Sequence, residues 1–302
     1  MPNVKFPDLG GIFPPIATPF AQNESLALNK LTQNFERWNQ INFRGYVVLG
    51  SNGEFPYLSL EEKLQLIQCA KDHTPDGKLV VAGAGCESTG ETIDLCKKFA
   101  DLGVDAVLVH TPCFYKTQMT NAALESHYKK VADASPLPVI LYNVPANTAV
   151  ELAADVVIKL ASHPNIIGFK DSGGDIAKLS LIADRTSQYG FQVLAGSAGF
   201  LLASLHAGCV GGVCAIANIL GQEVVNLYDH FQKSKFEEAQ KVQANLIAPN
   251  AAVTRKFGVP ALKYMMDKFG YYGGPVRSPM VPLTGEEVKI VERDFITSGF
   301  SW

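Results

Sequence analysis

Lys170 closes the apolar run Ile166-Ile-Gly-Phe-Lys, after which Asp-Ser-Gly-Gly turns the chain polar and glycine-rich, as happens where a buried strand reaches the surface. Side chains alternate along a strand, so Ile166, Gly168 and Lys170 are predicted to share one face, with Gly168 leaving space beneath the amine. Burial disfavours a charged ammonium, and a free amine can add to a ketone to form a Schiff base. A strand-end lysine also serves simply to point its ammonium at water, so its neighbours must decide. Tyr142 ends the preceding apolar run, where its phenol could exchange protons with a group bound to that amine; a tyrosine there can equally be packing. Gly50-Ser51-Asn52-Gly53-Glu54 ends another run. It offers two polar side chains and approachable backbone N–H groups to an anion, although Ser-Asn-Gly is also an ordinary turn. Thr111-Pro-Cys113-Phe114-Tyr115 and Gly196-Ser197 end two more.

These residues need elements to hold them. Short β-rich runs recur about every thirty residues, the length of a βα unit: 13–18, 45–50, 79–83, 106–111, 139–142, 166–170, 192–195 and 212–217. Several are apolar throughout, as parallel strands covered on both faces are. Helical patterns lie between them. In 59–72, Ser59 and Glu62 form a capping box and Leu60, Leu64 and Ile67 one stripe, while 88–102, 120–134 and 154–161 behave alike. Eight such units predict an α/β fold, a closed TIM (β/α)₈ barrel whose active site lies at the C-terminal ends of the strands. An open doubly wound sheet would want a Gly-rich dinucleotide turn after its first strand, and Gly83-Ala-Gly85 lies elsewhere and is incomplete. After residue 217 the pattern is helical only: 222–233, 235–248, 259–268 and 285–297. The first completes the barrel. The expected division is 1–233 for the barrel and 234–302 for a helical appendage that caps or dimerises and has no direct catalytic role.

Composition narrows the function. Of 302 residues, 47% are hydrophobic and 18% charged, which describes a globular chain with ample core rather than a disordered one. A formal charge of −3 without basic blocks leaves no footprint for nucleic acid or an anionic membrane surface. The six cysteines fall in no CxxC pair and read as reduced intracellular thiols; the dispersed histidines give no metal-ligand spacing, so no metal is expected. The apolar window 199–220 is long enough to cross a bilayer, but its glycines divide it into a short helix, 200–206, and a strand. The first residues lack the pattern of a signal or transit peptide. The expected location is cytoplasmic as the chain stands, or mitochondrial if a presequence has been removed.

The motifs Gly50-Ser51-Asn52-Gly53-Glu54, Leu141-Tyr142-Asn143-Val144-Pro145 and Gly168-Phe169-Lys170-Asp171-Ser172, in this order and spacing, resemble the signature of the dihydrodipicolinate synthase and N-acetylneuraminate lyase superfamily. The match covers nearly the whole chain. Thr111-Pro-Cys, Val144-Pro-Ala-Asn-Thr, Leu194-Ala-Gly-Ser-Ala-Gly-Phe and Gly270-Tyr-Tyr-Gly-Gly-Pro most resemble its animal 4-hydroxy-2-oxoglutarate aldolase branch. The resemblance implies a class I aldolase that splits 4-hydroxy-2-oxoglutarate into pyruvate and glyoxylate, with no cofactor. Lys170 would condense with the 2-oxo group, and Tyr142, aided by Ser51, would take the proton from the 4-hydroxyl. Ser51 and Asn52 would hold the pyruvate carboxylate, and Ser172 and Gly196 match further substrate-contact positions.

Two positions depart from the superfamily. Dihydrodipicolinate synthases usually place an arginine two residues after the proline of Tyr-Asn-Val-Pro, and here Asn147 stands there, which counts against lysine biosynthesis. The superfamily also tends to lend a tyrosine from the fourth-strand loop into a neighbour's proton relay. Here that loop reads Cys113-Phe114-Tyr115, and Tyr115 is the candidate. An exposed apolar loop of this kind, with the resemblance, implies a homotetramer. Two competing functions remain open: another pyruvate-releasing lyase, acting on 2-oxo-3-deoxygluconate or sialate, and a non-catalytic binder of 2-oxo acids. A binder has no need of a nucleophilic amine.

Overall fold

The computed structural model describes residues 6–302. Eight strands alternate with helices: β1 (Gly11–Phe13), β2 (Gly45–Val48), β3 (Leu79–Gly83), β4 (Ala106–His110), β5 (Val139–Asn143), β6 (Ile166–Asp171), β7 (Gln192–Ala195) and β8 (Gly211–Val213). Consecutive strands from β2 to β8 pair in parallel, and β8 pairs in parallel with β1. The ring closes between β1 and β2, where Val47 N–H donates to the Pro14 carbonyl (3.1 Å) and Ile16 N–H to the Val47 carbonyl (2.9 Å). The barrel is as predicted, and six strands match their expected bounds within two residues.

The first and last strands differ. Pairing of β1 with β8 stops at Phe13 rather than running on to Thr18, because Pro14 and Pro15 carry no N–H to continue a ladder. The expected strand 212–217 ends at Val213, and Ala215–Asn218 forms a 3₁₀ turn. That turn is fully buried, and an unbroken apolar run does not distinguish a strand from a tight buried turn. Asn218 secures it by donating to the carbonyls of Pro15 and Ala215, each at 2.9 Å.

The helices follow their capping chemistry. In Leu60–His73 the Ser59 hydroxyl accepts from Glu62 N–H (3.2 Å) while the Glu62 carboxylate accepts from Ser59 N–H (2.9 Å). Ser88 and Thr120 likewise cap Thr89–Asp101 and Asn121–Ala134. Helices Leu28–Trp38 and Ile176–Thr186 join those anticipated, and Gly221–Gln232 follows β8. Two apolar layers result: an inner cluster with Leu9, Phe13, Val47, Leu108, Ile140 and Leu194 fills the barrel, and a larger one lies between strands and helices. No helix among the described residues is long and apolar enough to cross a membrane.

The chain then adds helices Phe236–Ala251, Gly258–Lys268 and Gly285–Ile296. The first is tied to the loop after β7: Gln243 donates to the Ala198 carbonyl (2.8 Å), and Asn250 donates to Ser197 Oγ (2.9 Å). It contains Pro249 and runs into a wide π turn, Ala252–Lys256. A π turn inside a helical run often marks a functional site.

Candidate active site

Lys170 and Tyr142 are register partners on β6 and β5. Both side chains point inward and are buried, at 3% and 6% exposure, and Lys170 Nζ lies 3.9 Å from the centroid of the Tyr142 ring. The lysine face is built differently from the expected alternation. Pairing skips Ile167 between Val139 and Ile140, and Ile167 packs in the inner cluster while Ile166 packs in the outer one. Ile166 therefore does not share the face of Lys170. Gly168 leaves no room either, because a β-carbon there would stand 2.5 Å from the Gln192 carbonyl oxygen and 3.4 Å from Leu9 Cδ1. Close approach of β7 requires this glycine, and Lys170 rests on a filled core.

The Ser51–Gly53 turn stands beside the phenol, with Ser51 Oγ 3.4 Å from Tyr142 Oη. Non-glycine residues in the left-handed region bracket it, Leu49 at φ 60° and Glu54 at φ 54°. Such conformations persist only where the surroundings over-determine them. Here Thr18 Oγ1 donates to the Gly53 carbonyl (2.6 Å). The buried Glu54 carboxylate pairs with the buried Lys263 ammonium and accepts from Arg277 N–H (2.8 Å). The appendage thus holds the turn.

Ser172 and Gly196 complete the wall. Gly196 N–H donates to the Asp171 carbonyl (2.7 Å) and Ser172 Oγ to the Gly196 carbonyl (3.4 Å). A β-carbon on Gly196 would stand 2.2 Å from Ser172 Oγ, so the contact admits only glycine. Behind the site, Asn143 donates to Asp171 (2.6 Å) and to Glu151 (3.2 Å), and Lys178 pairs with both carboxylates. That network fixes the ends of β5 and β6. Burial pushes the Tyr142 phenol up, but the Lys170 charge, with hydrogen bonds to Ser51, Ser172 and Lys170, outweighs it and the net shift is downward. The phenol is poised to give up and recover a proton.

Lys170, Tyr142, Ser51, Asn52, Ser172 and Gly196 line one cavity of about 470 Å³, together with Asn147. Tyr115 is apart from them. It and Phe114 project from the loop after β4 at 69% and 76% exposure, and Glu87 holds that loop by accepting from Cys113 N–H (3.0 Å) and Phe114 N–H (2.8 Å). The appendage, expected to cap or dimerise without a direct catalytic role, also contributes to the cavity wall through Val253, Thr254, Arg255 and Val259. The available signal was Pro249 inside a helical pattern, which removes a hydrogen bond to the turn before it and marks the segment as irregular.

A barrel whose strand ends present a buried amine against a phenol defines a carbon–carbon lyase, a pyruvate-dependent class I aldolase, and the comparisons agree. The Dihydrodipicolinate synthetase family matches residues 8–296, and the chain belongs to that family. It is 36% identical over 298 residues to a probable mitochondrial 4-hydroxy-2-oxoglutarate aldolase of Emericella nidulans, covering 97% of this chain and 96% of that one. It is 34% identical over 288 residues to the 4-hydroxy-tetrahydrodipicolinate synthase of Methanothrix thermoacetophila, covering 95% and 96%. Among solved structures, a dihydrodipicolinate synthase of Bacillus anthracis superposes with a TM-score of 0.91 at 31% identity, over 96% of this chain and 98% of that one. The chloride-inhibited synthase of Acinetobacter baumannii complexed with pyruvate gives 0.92 at 27% identity, over 97% and 99%.

Proposed function

We propose that the chain cleaves 4-hydroxy-2-oxoglutarate to pyruvate and glyoxylate, with Lys170 as the Schiff-base lysine. The observation that carries the chemistry is the buried Lys170 amine 3.9 Å from the Tyr142 ring centroid, with Ser51 on the phenol, at the base of a cavity. Nζ adds to C2 of the substrate and water leaves, giving a protonated imine. Tyr142, as phenolate, removes the proton of the 4-hydroxyl. The C3–C4 bond then breaks, its electron pair moves toward the imine nitrogen, and C4 leaves as the aldehyde carbon of glyoxylate. The enamine regains a proton at C3 from Tyr142, and water releases pyruvate from Lys170. Ser51 and Asn52 take the C1 carboxylate in this scheme, and Ser172 and Gly196 the remaining polar contacts.

The Emericella relative's name supports this substrate, and it also favours a mitochondrial location, which imaging of the tagged chain in its own cells would check. The Methanothrix relative's name favours a dihydrodipicolinate-type synthase instead. Against the second reading, the neutral Asn147 lines the cavity where the resemblance places an arginine in synthases. A panel decides between them: pyruvate release from 4-hydroxy-2-oxoglutarate and from sugar-derived 2-oxo acids, beside the synthase condensation. Faster turnover of any other member of the panel would displace the proposed substrate.

A further inference from the structure

The cavity wall carries two cations, Lys170 and Arg255, and no carboxylate. Lys170 is committed to the 2-oxo carbon in the reading above, which leaves Arg255 with no assigned work. Its surroundings set it apart from the other five arginines of the chain. Arg185, Arg277 and Arg293 pair with carboxylates, and Arg37 and Arg44 donate to backbone carbonyls. Among the described residues, Arg255 alone does neither. The guanidinium is also placed rather than adrift. The π turn Ala252–Lys256 brings it to the mouth of the cavity, where Nη2 lies 3.4 Å from the position a β-carbon on Gly174 would take. Gly174 lies two residues after Ser172 in the loop after β6, with φ +86°, so the guanidinium sits at contact distance from the loop that carries Ser172.

A 2-oxo dicarboxylate has one carboxylate near its reacting carbon and a second at the far end of the molecule. With Ser51 and Asn52 taking the first, the second points from the amine toward the mouth, where a planar guanidinium can receive a carboxylate with two parallel hydrogen bonds. We infer that Arg255 is the specificity-determining residue that anchors the distal carboxylate and selects dicarboxylic over monocarboxylic 2-oxo acids. The inference rests on the proposed substrate class but is testable apart from catalysis.

The test is calorimetric titration with 2-oxoglutarate, which has the carbon skeleton of the proposed substrate, and with 2-oxopentanoate, which carries a methyl group in place of its distal carboxylate. The unmodified chain is expected to bind 2-oxoglutarate more tightly. In Arg255→Gln its Kd rises roughly 10- to 100-fold, the worth of a lost charged hydrogen-bond pair, while the Kd of 2-oxopentanoate stays unchanged and so reports an intact fold. Arg255→Lys regains part of the loss, because the charge remains without the fork. Equal effects on both ligands, no effect of Arg255→Gln, or no preference for 2-oxoglutarate in the unmodified chain would overturn the inference. Pyruvate release is measured separately. If 4-hydroxy-2-oxoglutarate is not cleaved while the carboxylate preference depends on Arg255, the substrate assignment falls and the anchor stands.

Discussion

Tyr142 faces Lys170 across β5 and β6 as its register partner, and the next register pair, Asn143 and Asp171, is joined by a 2.6 Å hydrogen bond on the opposite face of the sheet. The two relationships depend on each other. A slip of one residue would turn Lys170 and Tyr142 out of the barrel and Asn143 and Asp171 into it. With Lys178 and Glu151 also bound to the outer pair, the inner pair takes its spacing from the sheet rather than from side-chain freedom.

Borohydride reduction in the presence of pyruvate is expected to leave a pyruvyl adduct on Lys170, located by peptide mapping. Lys170→Ala should lose both the adduct and turnover. An adduct confined to another lysine, or unimpaired turnover in Lys170→Ala, would remove the proposed nucleophile.

Tyr142→Phe should keep the reducible imine but slow carbon–carbon cleavage on the order of 100-fold, the usual worth of a positioned acid or base. A pH profile sharpens this. Because the Tyr142 phenol is held below its ordinary value of 10.0, the reactive phenolate forms at lower pH than in free tyrosine. The cleavage rate of the parent should therefore rise with pH through an inflection below that value, and the inflection should vanish in the variant. A parent-like rate in Tyr142→Phe would return the residue to core packing.

Much of this arrangement is legible in the sequence because strand ends announce themselves. An apolar run that stops at a lysine, a tyrosine or Gly-Ser-Asn, repeated at barrel spacing, puts those groups at one end of a barrel by residue order alone. What stays hidden depends on contacts between distant segments. The skip at Ile167 and the need for glycine at 168 come from β5 and β7, not from β6 itself. The early stop of β1 was written in Pro14-Pro15, yet the strand pattern masks it. Arg255 reaches the cavity only because the helix carrying Pro249 gives way to a π turn beyond the barrel, a path with no periodic signature. The Glu54–Lys263 pair joins residues more than two hundred positions apart.

That pair yields a stability prediction. Burial pulls the Lys263 amine below its ordinary value even with Glu54 beside it. Lys263→Met would leave Glu54 as an uncompensated buried charge, at a cost of about 3–5 kcal/mol. Replacing both partners with apolar residues of similar volume should recover most of that. Urea denaturation of the single and double variants measures the difference. The Ser51–Asn52 turn is held by the same pair, so Lys263→Met should also raise the KM for the 2-oxo acid. A single variant as stable as the parent would show that the pair holds nothing in place.

The last prediction concerns assembly. Phe114 and Tyr115 pack edge to face on each other at 5.0 Å between ring centroids and stand largely in solvent on the single chain, an unfavourable exposure that a partner surface would remove. We expect a homotetramer with this loop at a subunit contact, where Tyr115 reaches the proton relay of the neighbouring site. Light scattering with a parallel activity assay tests both parts. Dilution to monomers should abolish turnover, and Tyr115→Phe should slow it while leaving the tetramer intact. The two rings hold each other and Glu87 holds their backbone, so loss of one hydroxyl should not collapse the loop. A fully active monomer would rule out a shared site. An inactive monomer combined with an unimpaired Tyr115→Phe variant would leave the contact a purely structural role.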